Sequence, residues 1–316
     1  MNVDGIKVIG IIGAGLMGHG IAQIFGLNGY EVRLYDQDRS MLQSAPDRIR
    51  GNLKTFEALE LIGADQAASC LEKVSLCEDM GRACAEAAVI IEAVKEDLRI
   101  KQSVFADMER FSSPETIFCS NTSGISIGGI CEGLDHKARA MGTHFWNPPH
   151  VVPCVELIRS EFTADETVDT VFELMTRVGQ VPVKVLKDVP GFIGNRLQHA
   201  MIREALYVVQ AGIATPEDVD KVIKSSFGLR LPLIGAFETA DLAGIDLAYD
   251  VQKYLVPFLC TDLKPLDVLK EKVEAGTLGV KSGRGFYEWD PEKIKAAISS
   301  RDSKLLRLIR LARGNE

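Results

Sequence analysis

Ile11-Ile12-Gly13-Ala14-Gly15-Leu16-Met17-Gly18 closes an apolar run that begins at Lys7 and leads straight into a helical pattern. A GxGxxG at a strand-to-helix turn is the fingerprint of a dinucleotide site. Gly13 allows the tight turn, Gly15 lets backbone approach a pyrophosphate, and Gly18 lets helix and sheet pack closely. Gly13, Gly15, Leu16, Met17 and Gly18 are therefore candidate cofactor contacts. The phosphates would sit at the helix N-terminus, where unpaired N–H groups and the dipole favour anions. Alone the motif is weak, but its context is present. The next apolar run, Glu31–Tyr35, ends at Asp36, 23 positions after Gly13. That carboxylate is placed to accept hydrogen bonds from the adenosine ribose and would repel a 2′-phosphate, so the expected cofactor is NAD. Arg39, close by, leaves NADP as a minor alternative.

Outward from this motif, short apolar runs alternate with helical patterns, as a parallel sheet with crossover helices requires. The candidate strands are Lys7–Ile12, Glu31–Tyr35, Val74–Leu76, Ala88–Ala93, Thr116–Cys119, Ala138–Gly142, Cys154–Leu157 and Val181–Val185. After Asp188 the pattern changes. Pro190-Gly191 punctuates the chain, and Phe192, Leu197, Met201, Ala205 and Val208 then recur at helical spacing. Thr215-Pro216-Glu217-Asp218 reads as a helix start. The expected class is α/β: a Rossmann-type doubly wound sheet domain over 1–187, then an all-helical domain over 188–316. The second domain would end in a tail helix from Pro291 to about Arg313.

Composition narrows the function classes. With 36 basic and 44 acidic residues the net charge is −8, which argues against a nucleic-acid or anionic-membrane partner. No apolar stretch approaches the roughly 20 residues of a membrane helix. Met1–Gly5 is too short and polar for a secretory signal, so the expected compartment is the cytoplasm. Seven scattered cysteines without a CxxC pair point to reduced, mostly buried thiols rather than a zinc or dithiol site. Cys154 stands out, lying close in sequence to the residues considered next.

Thr143-His144-Phe145-Trp146-Asn147-Pro148-Pro149-His150 follows a candidate strand, and Glu156 sits twelve positions after His144 inside the apolar run Val155–Ile158. A carboxylate there is costly to bury unless paired. A histidine partner would resolve that cost, and the carboxylate would fix the tautomer so that His144 could take a proton near neutral pH. Two unrelated polar residues at strand ends explain the spacing equally well. His150, in a loop from which it could touch substrate, and His19, just after the third glycine and near the phosphates, are both expected to be solvent-facing.

With these motifs in view, the chain resembles the L-3-hydroxyacyl-CoA dehydrogenase family from Val8 to about Tyr287. Ser120-Asn121-Thr122-Ser123 resembles its SNTS turn, and His144-Phe145-Trp146-Asn147-Pro148 its HFFNP motif. Asp188-Val189-Pro190-Gly191-Phe192-Ile193-Gly194-Asn195-Arg196 resembles the start of its second domain, and Lys281-Ser282-Gly283-Arg284-Gly285-Phe286-Tyr287 its KTGxGFY close. The resemblance implies an NAD-dependent dehydrogenase in which His144 is the acid–base and Glu156 orients it. It implies that Ser123 and Asn195 hydrogen-bond the substrate. Asn147, Glu96, Lys101 and Lys281 would line the NAD site, with Ala93 and Val94 beside it. A homodimer built through the helical domain is implied as well. On the residues alone, Asn195 could instead bond local backbone, Ser123 could be a loop hydroxyl, and both lysines could be solvated.

The substrate is a small molecule, either an acyl-CoA or a free hydroxy acid. Coenzyme A carries phosphates that need cations, and in the resembled family a lysine-rich hairpin after the second strand contributes them. Here Asn52–Glu72 holds Lys54 as its only basic residue, beside Glu57, Glu60, Asp65 and Glu72. Phe227-Gly228-Leu229-Arg230-Leu231-Pro232 is similar to the branch acting on free hydroxy acids, such as lambda-crystallin-like gulonate and carnitine dehydrogenases. Arg230 could clamp a carboxylate bidentately, or be a solvated loop arginine. The 3-hydroxyacyl-CoA ester leads by family breadth, with a small non-CoA hydroxy acid or hydroxymethyl compound as the alternative. A non-catalytic NAD-binding structural protein ranks last.

Overall fold

The structure is a computed structural model that describes residues 2–312; Arg313, the expected end of the tail helix, lies outside them. Eight strands form one sheet: β1 (Val8–Ile12), β2 (Glu31–Tyr35), β3 (Val74–Cys77), β4 (Val89–Glu92), β5 (Ile117–Ser120), β6 (Ala140–Phe145), β7 (Cys154–Ile158) and β8 (Val181–Val185). Their order is β3-β2-β1-β4-β5-β6-β7-β8. The helices between them are α1 (Gly18–Leu27), α2 (Arg39–Ala58), α3 (Ala64–Lys73), α4 (Met80–Cys84), α5 (Leu98–Phe111), α6 (Ile127–Ile130) and α7 (Asp165–Arg177). The chain direction across the sheet reverses between β1 and β4. In such doubly wound sheets, ligands bind at the carboxyl ends of the strands flanking that switch point.

The central strands are buried on both faces. Val89–Glu92 and Ile117–Ser120 have no exposed position, as expected of strands covered by helices on either side. All neighbours pair in parallel except β6 and β7, which are antiparallel. The sheet is thus mixed, whereas the run pattern suggested a wholly parallel one. The sequence pattern also ended β6 at Gly142. The strand continues to Phe145, so His144 lies within it rather than after it. Asn121 at the end of β5 holds this extension, its Oδ1 accepting the Phe145 N–H at 2.9 Å.

Two compact units divide the chain, Met1–Arg196 and Leu197–Glu316. The first extends past the 187/188 boundary drawn from sequence because residues 192–194 are tied to β7, as described below. Phe192 is not on the helix its spacing suggested: α8 (Gly194–Gln210) begins two residues later, and Phe192 packs into the sheet unit with 2 % exposure.

The second unit carries the rest of α8 and then helices α9 (Pro216–Ser225), α10 (Phe227–Arg230), α11 (Ala236–Ala243), α12 (Ile245–Leu255), α13 (Asp267–Glu274) and α14 (Pro291–Ala312). Thr215 caps α9 as read, accepting the Asp218 N–H. Among the described residues no helix is long and apolar enough to cross a membrane. All seven cysteines are free, and only Cys154 is less than fully buried.

Candidate active site

The antiparallel register of β6 and β7 sets His144 directly opposite Glu156. His144 Nδ1 lies 2.8 Å from Glu156 Oε2, and both residues are buried, at 4 % and 2 % exposure. Glu156 Oε1 accepts two backbone N–H groups, from Ile193 and Gly194, each at 2.9 Å. Burial works to raise the Glu156 pKa. The hydrogen bonds from His144, Gly194 and Ile193 outweigh it and hold the carboxyl below its ordinary range. A carboxylate acceptor assigns the ring proton to Nδ1, which leaves Nε2 as the nitrogen able to exchange a proton with a ligand.

The turn that supplies the two N–H groups is strained. Gly191 has φ 78° and Phe192 φ 46°, a left-handed conformation that costs a residue with a Cβ about 1–2 kcal/mol. The strain brings the next two amides onto Glu156. It also places the Phe192 ring 5.8 Å from the His144 ring, whose other neighbour is Trp146 at 5.1 Å. Gly194 has no alternative here, since a Cβ would stand 2.2 Å from Trp146 Cζ2. Three residues quoted for a domain boundary thus build the wall of the histidine site.

Ser123 and Asn195 are brought together. Asn195 Nδ2 donates to the Ser123 carbonyl at 2.8 Å, while the Ser123 side chain stands at an exposed position. The Ser123 N–H donates to Glu96 Oε1 at 2.9 Å, as Thr122 Oγ1 does at 2.6 Å. Behind them lies a pair the sequence reading missed in part. Lys101 is wholly buried, not solvated as its residue type alone suggested, and its Nζ lies 2.7 Å from Glu92 Oε1 and 3.3 Å from Glu96 Oε2. Glu92 also accepts from Val94 N–H and Ser120 Oγ, both at 2.7 Å. The only signal for Glu92 was a carboxylate at the end of an otherwise apolar strand.

The glycine turn fits a dinucleotide. Gly13 has φ 106°, and a Cβ on it would stand 2.6 Å from the Ala93 carbonyl. A Cβ on Gly18 would stand 1.7 Å from the Gly13 carbonyl oxygen, whereas one on Gly15 would meet nothing within 4 Å. The first and third glycines therefore close the turn on itself and onto the strand, and the second keeps its outer face clear. Asp36 Oδ2 accepts the Ala14 N–H at 2.7 Å, and Oδ1 that of Asp38 at 2.9 Å; lone pairs remain on both oxygens for a ribose diol. A cleft of about 690 Å³ opens beside them, walled by Met80, Ala93, Val94, Ile100 and Val104. Its size suits the adenosine half of NAD, and the acids Asp36 and Asp38 at its rim disfavour a 2′-phosphate.

The remaining candidates divide. Leu16 and Asn147 are exposed at the ends of the loop and of β6, and Met17 is half-buried. Lys281 and Arg230 belong to the second unit, where both are exposed. His19 is buried at 7 % rather than solvent-facing, because α2 covers it. His150 is half-buried, its ring 6.0 Å from that of Phe56. Cys154 begins β7; burial, then the nearby Glu156 charge, raises its pKa, which disfavours the reactive thiolate.

Known proteins resemble the chain over both of its units. Residues 8–189 match the family described as 3-hydroxyacyl-CoA dehydrogenase, NAD binding domain, and residues 191–289 match the corresponding C-terminal domain. A 5-formyl-3-hydroxy-2-methylpyridine 4-carboxylate 5-dehydrogenase from Mesorhizobium japonicum is 35% identical over 98% of this chain and 100% of its own. A solved structure of an enzyme of that activity, described as an NAD+ dependent dismutase, superposes with a TM-score of 0.92 at 33% identity, covering 98% of this chain and 100% of that one. The (S)-3-hydroxybutyryl-CoA dehydrogenase of Ralstonia eutropha superposes with a TM-score of 0.75 at 32% identity, covering 90% of this chain and 99% of that one.

Proposed function

The chain belongs to the 3-hydroxyacyl-CoA dehydrogenase family, NAD-dependent enzymes acting on CH–OH groups, and from that premise we propose that its substrate is a small carboxylate-bearing alcohol rather than a coenzyme A ester. The observation that carries this reading is the charge of the segment Asn52–Glu72, which spans the turn between α2 and α3. From Asn52 to Glu72 its single cation is Lys54, set among four acids, a poor surface for the phosphates of coenzyme A. The likeness to a dehydrogenase of a pyridine carboxylate over the whole chain supports the same choice. The runner-up is the 3-hydroxyacyl-CoA ester, favoured by the likeness to 3-hydroxybutyryl-CoA dehydrogenase.

In this reading His144 Nε2 takes the hydroxyl proton, and Glu156 holds the ring and stabilises the imidazolium that forms. Ser123 and Asn195 position the substrate oxygen. NAD, which the glycine turn and Asp36 would hold, would supply the hydride acceptor. Trp146 and Phe192 pack beside the imidazole and help keep water from it, and Glu96 with Lys101 sets the Ser123 loop. Gly13, Gly15, Leu16, Met17, Gly18, Asp36, Ala93, Val94, Asn147 and Lys281 are assigned to the cofactor, and Arg230 to the substrate carboxylate. We also propose a homodimer through the helical unit, whose Leu233, Phe237, Leu242 and Leu263 are 80–98 % exposed, a burden of apolar surface uncommon on a monomer.

The test is a comparison of kcat/KM for 3-hydroxybutyryl-CoA, free hydroxy acids and hydroxymethylpyridine carboxylates, in the wild type and in Arg230→Ala. A free acid should be preferred, and Arg230→Ala should raise its KM about tenfold or more, as loss of a charged hydrogen bond does. Efficient thioester turnover that ignores the substitution would restore the acyl-CoA assignment.

A further inference from the structure

Arg48 projects from α2 to the back of the glycine turn. Its Nη2 donates to the Ala14 carbonyl at 2.7 Å and to the Met41 carbonyl at 2.8 Å, and its Nη1 to the Gly15 carbonyl at 3.0 Å. His19, on the first turns of α1, reaches the same Gly15 oxygen with Nδ1 at 2.7 Å. So short an approach to a carbonyl oxygen requires the proton on Nδ1, and Arg48 Nη1, 3.1 Å from that nitrogen, is then a packing neighbour rather than its donor. Burial foremost, then the Arg48 charge, lowers the His19 pKa against the pull of the Gly15 bond, which keeps the ring neutral.

We infer that Arg48, assisted by His19, latches the glycine turn from behind and presets it for the diphosphate of NAD, so that Arg48 is a positioning residue for cofactor binding. The planar trans peptide turns its C=O and N–H to opposite sides. Holding the Ala14 oxygen at the back turns the Gly15 N–H to the front, and holding the Gly15 oxygen does the same for the Leu16 N–H. The two preceding amides are already used: Gly13 N–H by the Tyr35 carbonyl at 2.8 Å and Ala14 N–H by Asp36. Among the described residues, the Gly15 and Leu16 amides have no acceptor, and the space in front of Gly15 is clear. The latch therefore withdraws two carbonyl dipoles that would repel a diphosphate and presents two amides that attract it. It also leaves a permanent cation behind the turn. Met41 O lies in the first turn of α2, directly after the ribose acid Asp36, so the same guanidinium ties the diphosphate loop to the ribose site.

The inference rests on NAD as the cofactor, which the family establishes, and not on the substrate reading. Its test compares dissociation constants for NAD, ADP-ribose and adenosine in the wild type, Arg48→Met, Arg48→Lys and His19→Ala. Arg48→Met should weaken NAD and ADP-ribose by about tenfold to a hundredfold, the range of lost charged hydrogen bonds. Adenosine, which lacks the diphosphate, should weaken little. KM for NAD should rise far more than kcat falls. Arg48→Lys should lie between, since an ammonium keeps the charge but cannot fork onto two carbonyls, and His19→Ala should show a smaller loss of the same kind. An unchanged NAD affinity, or an equal loss for adenosine and NAD, would overturn the inference. Should Arg48→Met fail to fold, wild-type ratios of NAD to adenosine affinity in both other variants would overturn it equally.

Discussion

Glu156 and Glu92 are two buried carboxylates toward the carboxyl ends of the central parallel strands, each accepting three hydrogen bonds, and they serve opposite purposes. Glu92 takes Val94 N–H, Ser120 Oγ and Lys101 Nζ; Glu156 takes Ile193 N–H, Gly194 N–H and His144 Nδ1. The difference lies in the partner. Lys101 Nζ, at zero exposure, is taken up by Glu92 and Glu96. That pair is closed. An imidazole anchored by one nitrogen still presents the other, which is free to take up or release a proton. Equal burial and equal hydrogen bonding therefore do not identify a catalytic carboxylate; the second functional atom of its partner does.

The largest effect should come from removing that second atom. His144→Gln retains a hydrogen bond to Glu156 but supplies no base, so turnover should fall by about 10²–10⁴-fold, the worth of a positioned acid–base group. NAD affinity, read by fluorescence titration, should hardly change. Near-normal turnover on a verified substrate would place the proton acceptor elsewhere and erase the contrast between the two pairs.

The closed pair should break in stability first. Lys101→Met leaves Glu92 buried without its cation, which typically costs roughly 3–5 kcal/mol. Adding Glu92→Gln should recover much of that loss, because the uncompensated charge is gone. Denaturant unfolding of the two single variants and the double variant measures this coupling. Strictly additive losses would show that Lys101 and Glu92 do not act as a unit. The double variant, though refolded, should still show a raised substrate KM if Glu96 loses its hold on the Ser123 loop.

What could be read from the chain follows the range of the forces involved. Gly13 and Gly18 were legible because turn geometry and close approach are imposed within a few residues. The strands were legible because burial on both faces writes an apolar run. His144 and Glu156 showed only as polar residues in the wrong company, and their pairing needed β6 to run on to Phe145, which depends on Asn121 from another strand. Phe192 fitted a helical period by coincidence, and nothing local announced its left-handed turn. Arg48 reads as one more charge on an amphipathic helix, since the two carbonyls of the glycine turn that it holds, Ala14 and Gly15, lie more than thirty residues away. Lys101 was singled out only through family resemblance, because sequence gives no measure of how deeply a lysine is buried.

The smallest effect expected concerns acid stability. Hydrogen bonds outweigh burial to hold Glu156 below its ordinary pKa, and those of Thr122 and Ser123, with the Lys101 charge, do the same for Glu96. A carboxyl at about 4.3 in the unfolded chain binds its proton before the native one does as pH falls. Between the two values the unfolded state holds more protons, so stability drops with acidification there. The contribution is complete above the unfolded pKa and gone once pH passes below the native one. Glu156→Gln should therefore be less stable than wild type at pH 7, with the difference shrinking as pH falls below the ordinary carboxylate range and the wild-type carboxyl becomes protonated. Glu96→Gln should show the same trend more weakly, since its side chain is 44% exposed and its charges are screened by water. Urea unfolding across that pH range decides it. Parallel pH profiles for wild type and Glu156→Gln would mean that the carboxylate gains nothing from its three donors, and the likeness drawn between Glu156 and Glu92 would then fail at its starting point.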